Sequence, residues 1–303
     1  MSLRNWVMLT VLGAIWGGSF LFAKVAVAEI PPFVLVFLRV SSACAVLLLV
    51  LWHQKLLGQL KLGLALPFLL MGFLNNAVPF SLLFLGQTEI GAGLASILNA
   101  TTPIFTVIVA GLLTGQESLP FNKIAGVLLG VAGVAIMLSS SLSGVANDPV
   151  WAQLSCLGAA VSYACAATYA RRFKGVRPQV SAAGQLLGSS LIMLPVAVYF
   201  GTGWSPSGTS MTAWANVAAL GIIATALAYL IYFQLLADAG ATNASLVTLI
   251  VPASALLFGW LILGENLSAL QLAGFAVLLI GLVALDGRVF RRTQPASADG
   301  KQT

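Results

Sequence analysis

GAGLASILNATTPIF (residues 91–105) and GATNASLVTLIVPAS (residues 240–254) are two copies of one segment. Gly91 pairs with Gly240, Ala95 with Ala244, Ser96 with Ser245 and Pro103 with Pro252, each at a separation of 149 residues (240 − 91). Gly72 with Gly221 and Phe84 with Phe233 keep that offset. One residue is then lost, since Glu117 with Glu265, Leu119 with Leu267, Gly126 with Gly274 and Gly133 with Gly281 stand 148 apart (265 − 117). Upstream, Trp16 falls opposite Tyr163 at 147 and Arg39 opposite Gln185 at 146. The chain is an internal duplication, and each copy sets a proline well inside an apolar segment, where proline deletes a backbone hydrogen bond and kinks a helix.

The solvent of these segments follows from composition. The chain is 59% hydrophobic and 7% charged, the profile of an integral membrane protein. With about 20 apolar residues needed per crossing, ten spans emerge: 6–27, 33–53, 63–85, 92–113, 121–138, 150–171, 180–200, 212–236, 243–263 and 270–287. The first lacks a small-residue cleavage site and is expected to be retained rather than removed as a signal peptide. With the N-terminus in the cytoplasm, twelve of the fourteen Lys and Arg fall on the inner side, among them Arg4, Lys55, Lys61, Lys123, Arg171, Arg172, Lys174 and Arg177, leaving Lys24 and Arg39 on the outer side. This is the positive-inside arrangement, so the net charge of +6 reports topology and gives no footing for nucleic acid.

Five spans per half is an odd number, so the second half enters the membrane from the opposite side and the repeats are inverted. Inverted repeats related by an axis in the membrane plane build secondary transporters, with the substrate near the midplane between the halves. The expected fold is all-α: ten transmembrane helices as two inverted five-helix repeats around a central cavity. Residues 1–142 and 143–287 form the repeats, and residues 288–303 a basic cytoplasmic tail.

The stretches AIWGGSFLFAK (14–24), FLR (37–39), GQESLPFNKIAGVLLGVAG (115–133) and GENLSALQLAGFAVLLIG (264–281) resemble the EamA family of the drug/metabolite transporter superfamily over nearly the whole chain. Within it the chain is similar to the YddG-type amino-acid exporters. The resemblance implies ten helices and a central cavity. It leaves the cargo open among amino acids, other metabolites and toxic cations.

Helical spacing places Ser96, Asn99 and Pro103 on one face, and the matched Ser245, Thr248 and Pro252 on the corresponding face of the other half. Each proline frees the carbonyl four residues earlier, that of Asn99 or Thr248, so both prolines are expected hinges beside a wet cavity. Asn75 and Asn76 lie mid-span opposite Ala224 and Thr225, and two adjacent amides must face protein or water. Trp16, Tyr163, Tyr229 and Tyr232 are candidate aromatic walls, whereas Trp6, Trp52, Trp151, Trp204 and Trp214 are placed at the interfaces. Arg39, two turns inside its span, either fixes a carboxylate or snorkels outward. Gly126 and Gly130 form a G-x-x-x-G for tight helix packing, within or between chains.

All eight acids, Glu29, Glu89, Glu117, Asp148, Asp238, Glu265, Asp286 and Asp299, fall in loops, tails or helix ends. A midplane carboxylate is the usual device for exchanging protons with lipophilic cations, and its absence favours a neutral or zwitterionic solute. Cys44, Cys156 and Cys165 lack metal-ligand spacing and are expected as buried thiols. His53 sits at a helix end, and no phosphate loop or nucleophile elbow is present. The expectation is an inner-membrane exporter of small metabolites, foremost neutral or aromatic amino acids, working by alternating access in the lipid bilayer. No cofactor, metal, enzymatic activity or nucleic-acid partner is expected, and a monomer is compatible with the pattern, which leaves the oligomeric state open. A cation–proton antiporter, a membrane enzyme and a channel remain the alternatives.

Overall fold

The computed structural model describes residues 1–115 and 120–286. Glu117, Leu119, Asp299 and the basic tail with Arg288, Arg291, Arg292 and Lys301 lie outside the described residues. Among the described residues, nine helices are long and apolar enough to cross a membrane: α1 Leu3–Val27, α2 Pro32–His53, α3 Leu62–Glu89, α4 Ala92–Gly111, α5 Phe121–Leu142, α6 Val150–Phe173, α7 Pro178–Phe200, α8 Met211–Ala239 and α10 Ala269–Asp286. The shorter apolar helix Val247–Leu263, α9, lies between the last two and is preceded by the single turn Ala241–Ala244. Among the described residues there is no strand, as expected where no water can bond an exposed sheet edge.

Local chemistry fixes the helix ends. Ser2 and Ser210 cap α1 and α8 by accepting from the amides of Asn5 and Ala213, which satisfies donors that helix starts leave free. Pro32 and Pro178 open α2 and α7, where a missing N–H removes no intrahelical bond. Gly240 (φ +78°) and Gly264 (φ +68°) end α8 and α9 in backbone conformations that other residues rarely adopt.

The core lies between the halves rather than within them. The helices in closest association pair across the duplication: α5 with α10, α2 with α7, α1 with α9 and α3 with α6. Small residues allow this approach, since between helices in lipid it is packing rather than water exclusion that favours association. A methyl on Gly133 would stand 2.6 Å from the Gly274 carbonyl, and one on Gly274 would stand 2.6 Å from the Gly133 carbonyl. Gly126 meets the Gly281 carbonyl in the same seam. The G-x-x-x-G at Gly126 and Gly130 is therefore used within the chain: Gly126 faces α10, and Gly130 receives Ile104 of α4.

Two departures from regular helix shape the space between the halves. The fourth span is two helices, Ala92–Asn99 and Thr102–Ile108, separated by a turn. Pro103 is therefore not inside a helix as expected but in the first turn of a new one, where it costs no hydrogen bond. The Asn99 carbonyl, expected to be unpaired, accepts from the Thr102 hydroxyl at 2.7 Å, while Thr101 donates to the Leu98 carbonyl at 2.6 Å. Pro252, by contrast, does lie inside α9. The second departure is a pair of π-helical stretches at matching places in the repeats, Phe73–Ala77 in α3 and Ala219–Leu227 in α8. In α3 Val78 bonds Phe73 five residues back, while the Leu74 carbonyl, its regular partner four back, accepts from the Ser162 hydroxyl of α6 at 2.7 Å, and Pro79 offers no N–H to the Asn75 carbonyl. In α8 the Thr225 hydroxyl donates to the Leu220 carbonyl, also five back, at 2.8 Å.

Candidate functional site

Wide π turns rotate side chains off the regular helical face and recur at functional sites. Here both open on one cavity of about 640 Å³ between the halves. From mid-depth the cavity reaches Phe173, Val176 and Pro178 of the α6–α7 connection, the end of the bundle that carries Arg171, Arg172, Lys174 and Arg177. At the other end it stops beneath Phe20, Phe84 and Gln87.

Of the residues singled out by sequence, Trp16, Arg39, Asn75, Ser96, Asn99, Pro103, Tyr163, Tyr229, Thr248 and Pro252 border this space, as does Tyr232. Asn76 and Ser245 do not. Asn76 is fully buried, and its carbonyl oxygen accepts from the Tyr229 hydroxyl at 3.3 Å. Ser245, expected on the same face as Thr248, is exposed, because the turn at Ser245–Leu246 interrupts the helix before α9 begins.

The polar groups of the cavity meet across the duplication. Arg39 of α2 donates from Nε to the Thr225 hydroxyl of α8 at 3.0 Å. In the other half Gln185 of α7, the match of Arg39, accepts at 3.0 Å from Nδ2 of Asn75 in α3, one residue before the match of Thr225. The close approaches that bring these pairs together are also matched. A methyl on Gly221 would overlap the Ser42 hydroxyl, and one on Gly72 the Gln185 carbonyl oxygen. The Arg39 guanidinium lies over the Phe80 ring, 3.7 Å from its centroid, and Arg39 itself is 6% exposed, so the side chain is held inside and does not snorkel. Phe80 is not legible as a partner from sequence, although its match with Tyr229 at 149 residues marks the position. Trp16 and Tyr232 pack at 5.6 Å and Phe80 meets the edge of Tyr163 at 6.5 Å, so much of the wall is aromatic. Ser96 Oγ and Asn99 Oδ1, beside the break in α4, have no hydrogen-bond partner within the protein, so the wall carries two unpaired polar atoms at that break.

The closed end is sealed by a second set of contacts. Gln87 donates to the Phe20 carbonyl at 2.8 Å, and Lys24 Nζ donates to the Gln87 carbonyl at 2.8 Å. Glu265, in the turn after α9, accepts from the amides of Ala92 and Gly93 at 2.7 and 3.0 Å. Its carboxylate thus supplies the cap that Gly91 cannot give to the start of α4. Further out, Glu29 accepts from the Ser210 amide and hydroxyl at 2.7 and 2.6 Å, and these bonds hold its carboxyl below its ordinary pKa. A depressed carboxylate pKa means that this tie is present above the ordinary carboxylate range and is lost as the pH falls through the lowered value.

An EamA-like transporter profile matches residues 4–139 and 150–285, each half once. The chain belongs to the EamA-like transporter family. It is a multi-pass membrane protein of the transporter type in the drug/metabolite transporter superfamily. The family relatives include an uncharacterized transporter, YoaV, of Bacillus subtilis, 24% identical over 91% of this chain and 95% of the relative. They also include a probable amino-acid metabolite efflux pump of Escherichia coli, 26% identical over 93% of this chain and 94% of the relative. A solved crystal structure superposes at a TM-score of 0.67 with 20% identity, covering 97% of this chain and all of that one. That likeness concerns the EamA-like fold alone.

Proposed function

We propose that this protein exports small metabolites, foremost neutral or aromatic amino acids, across the bacterial inner membrane by alternating access, with both termini in the cytoplasm. Residues 1–142 and 143–287 are the two halves that move, and the binding set is Trp16, Asn75, Ser96, Asn99, Tyr163, Tyr229 and Thr248. The observation that carries the reading is the single-ended cavity between the halves: aromatic walls, a polar band at mid-depth, a seal at one end and access at the basic end. With the basic end in the cytoplasm, this is the inward-open state of an exporter ready to load. Among the described residues no carboxylate borders the cavity, which disfavours exchange of protons for lipophilic cations. The amino-acid metabolite efflux reading of one relative is consistent with the same cargo class.

Counterflow of labelled L-phenylalanine in proteoliposomes tests this directly. Saturable exchange, insensitive to an imposed pH gradient, is the expected result. Proton-driven accumulation abolished by a protonophore would show a coupling site elsewhere, and non-saturating flux would make the protein a channel.

The prolines give a second test in the same assay. Pro252→Ala restores one intrahelical bond of about 1 kcal/mol and is expected to slow exchange about fivefold by stiffening α9. Pro103→Ala is expected to leave the rate unchanged, since the Thr101 and Thr102 hydroxyls hold the break in α4. Equal slowing by both substitutions would show that the proline itself shapes α4.

A further inference from the structure

We infer that Arg39 is the anchor for a single carboxylate on the transported molecule, so that this site selects monocarboxylates with an apolar or aromatic body. This rests on the transport reading above and specifies its substrate class.

Among the described residues that border the cavity, Arg39 is the one that carries a charge. It is buried, and among the described residues it meets no acid. A lone cation so placed is unfavourable until an anion arrives. The guanidinium is already oriented for that anion. Thr225 holds Nε at 3.0 Å and Phe80 supports one face at 3.7 Å, so the two contacts fix the plane. Nε is the only nitrogen of this group with a protein partner among the described residues, and neither terminal nitrogen is among the buried unpartnered atoms. The terminal N–H groups are therefore left for the cavity, in the fork that binds a carboxylate through two parallel hydrogen bonds.

The duplication limits the count to one. The position matching Arg39 is Gln185, which is neutral and already occupied with Asn75. The cavity thus has one charged pole and one amide pole. A dicarboxylate would leave its second charge without a counter-ion, and an amine without a carboxylate would meet an uncompensated cation. Trp16, Tyr232 and Tyr163 supply apolar surface for the body of the ligand.

The test compares L-phenylalanine, 3-phenylpropionate and phenethylamine in counterflow by the parent protein, Arg39→Gln and Arg39→Lys, with thermal stability in detergent measured for each. The parent is expected to exchange or be inhibited by the two carboxylates and to ignore phenethylamine. Arg39→Gln should lose about 100-fold in apparent affinity for both carboxylates, and Arg39→Lys, which keeps charge without the fork, about tenfold. Unchanged affinity in Arg39→Gln, or competition by phenethylamine as strong as that of L-phenylalanine, overturns the anchor. If the parent exchanges none of the three, the amino-acid reading fails. The anchor is then decided by whether 3-phenylpropionate raises the melting temperature of the parent and not that of Arg39→Gln, and no rise in the parent overturns it.

Discussion

Gly133→Val is expected to destabilise the protein by about 3 kcal/mol, the upper end of overpacking costs, because the added carbon meets backbone rather than a side chain that can turn away. The nearest atoms are the Gly274 carbonyl at 2.6 Å and the Leu278 amide at 2.8 Å. Relief requires α5 and α10 to move apart, which opens the seam along Gly126, Gly130, Gly274 and Gly281 as well. Gly274→Val meets the reverse obstruction at the Gly133 carbonyl. The two substitutions should therefore fail to add: once the helices have separated, the second costs little. Gly63→Val, where nothing lies within 4 Å, is the control and should change stability by no more than about 0.5 kcal/mol. The measurement is the midpoint of thermal unfolding in detergent for the three single variants and the double. Additive losses from Gly133→Val and Gly274→Val would mean that the seam yields locally at each site.

Glu265→Ala is the second large effect, and it acts on the conformational equilibrium. The carboxylate makes two charge-assisted hydrogen bonds to the start of α4, at a helix end where negative charge is favoured. Three glycines shape its place: a methyl on Gly91, Gly93 or Gly259 would stand 2.7, 3.6 and 2.6 Å from carboxylate atoms of Glu265. The contact ties the ends of α4 and α9 over the closed end of the cavity. With water taking up part of the loss, its removal is expected to cost the closed arrangement about 3 kcal/mol, which shifts the ratio of the two access states about 100-fold. Glu265→Gln keeps an acceptor without the charge and should shift it about tenfold. Labelling of Leu83→Cys, on a background in which Cys44, Cys156 and Cys165 are replaced by serine, by an impermeant maleimide reports access from that end. Labelling equal to that of the parent in both variants would place the seal on Gln87 and Lys24 alone.

These two effects separate what each level of description holds. That the chain lies in lipid, crosses it about ten times and consists of two opposed halves follows from the sequence itself, since the length of an apolar run and the offset between repeated residues are properties along the chain. The absence of a cavity carboxylate among the described residues is equally legible, because the acids fall in loops, tails or helix ends. The placement of individual side chains is not. Asn75 borders the cavity while Asn76 turns to Tyr229, Pro103 begins a helix instead of bending one, and Ser245 lies outside the site although Ser96 lies within it. Assigning faces from sequence assumes 3.6 residues per turn without interruption. A π turn or a broken helix adds or removes a residue and rotates everything beyond it by about 100°. Whether such a defect forms depends on what the freed backbone groups meet nearby, as the Thr102 hydroxyl meets the Asn99 carbonyl. Glu265 shows the same limit at longer range. Its repeat partner and flanking glycine are visible in the sequence, but the helix it caps is 173 positions away, and only the packing of α9 against α4 brings the charge to those amides.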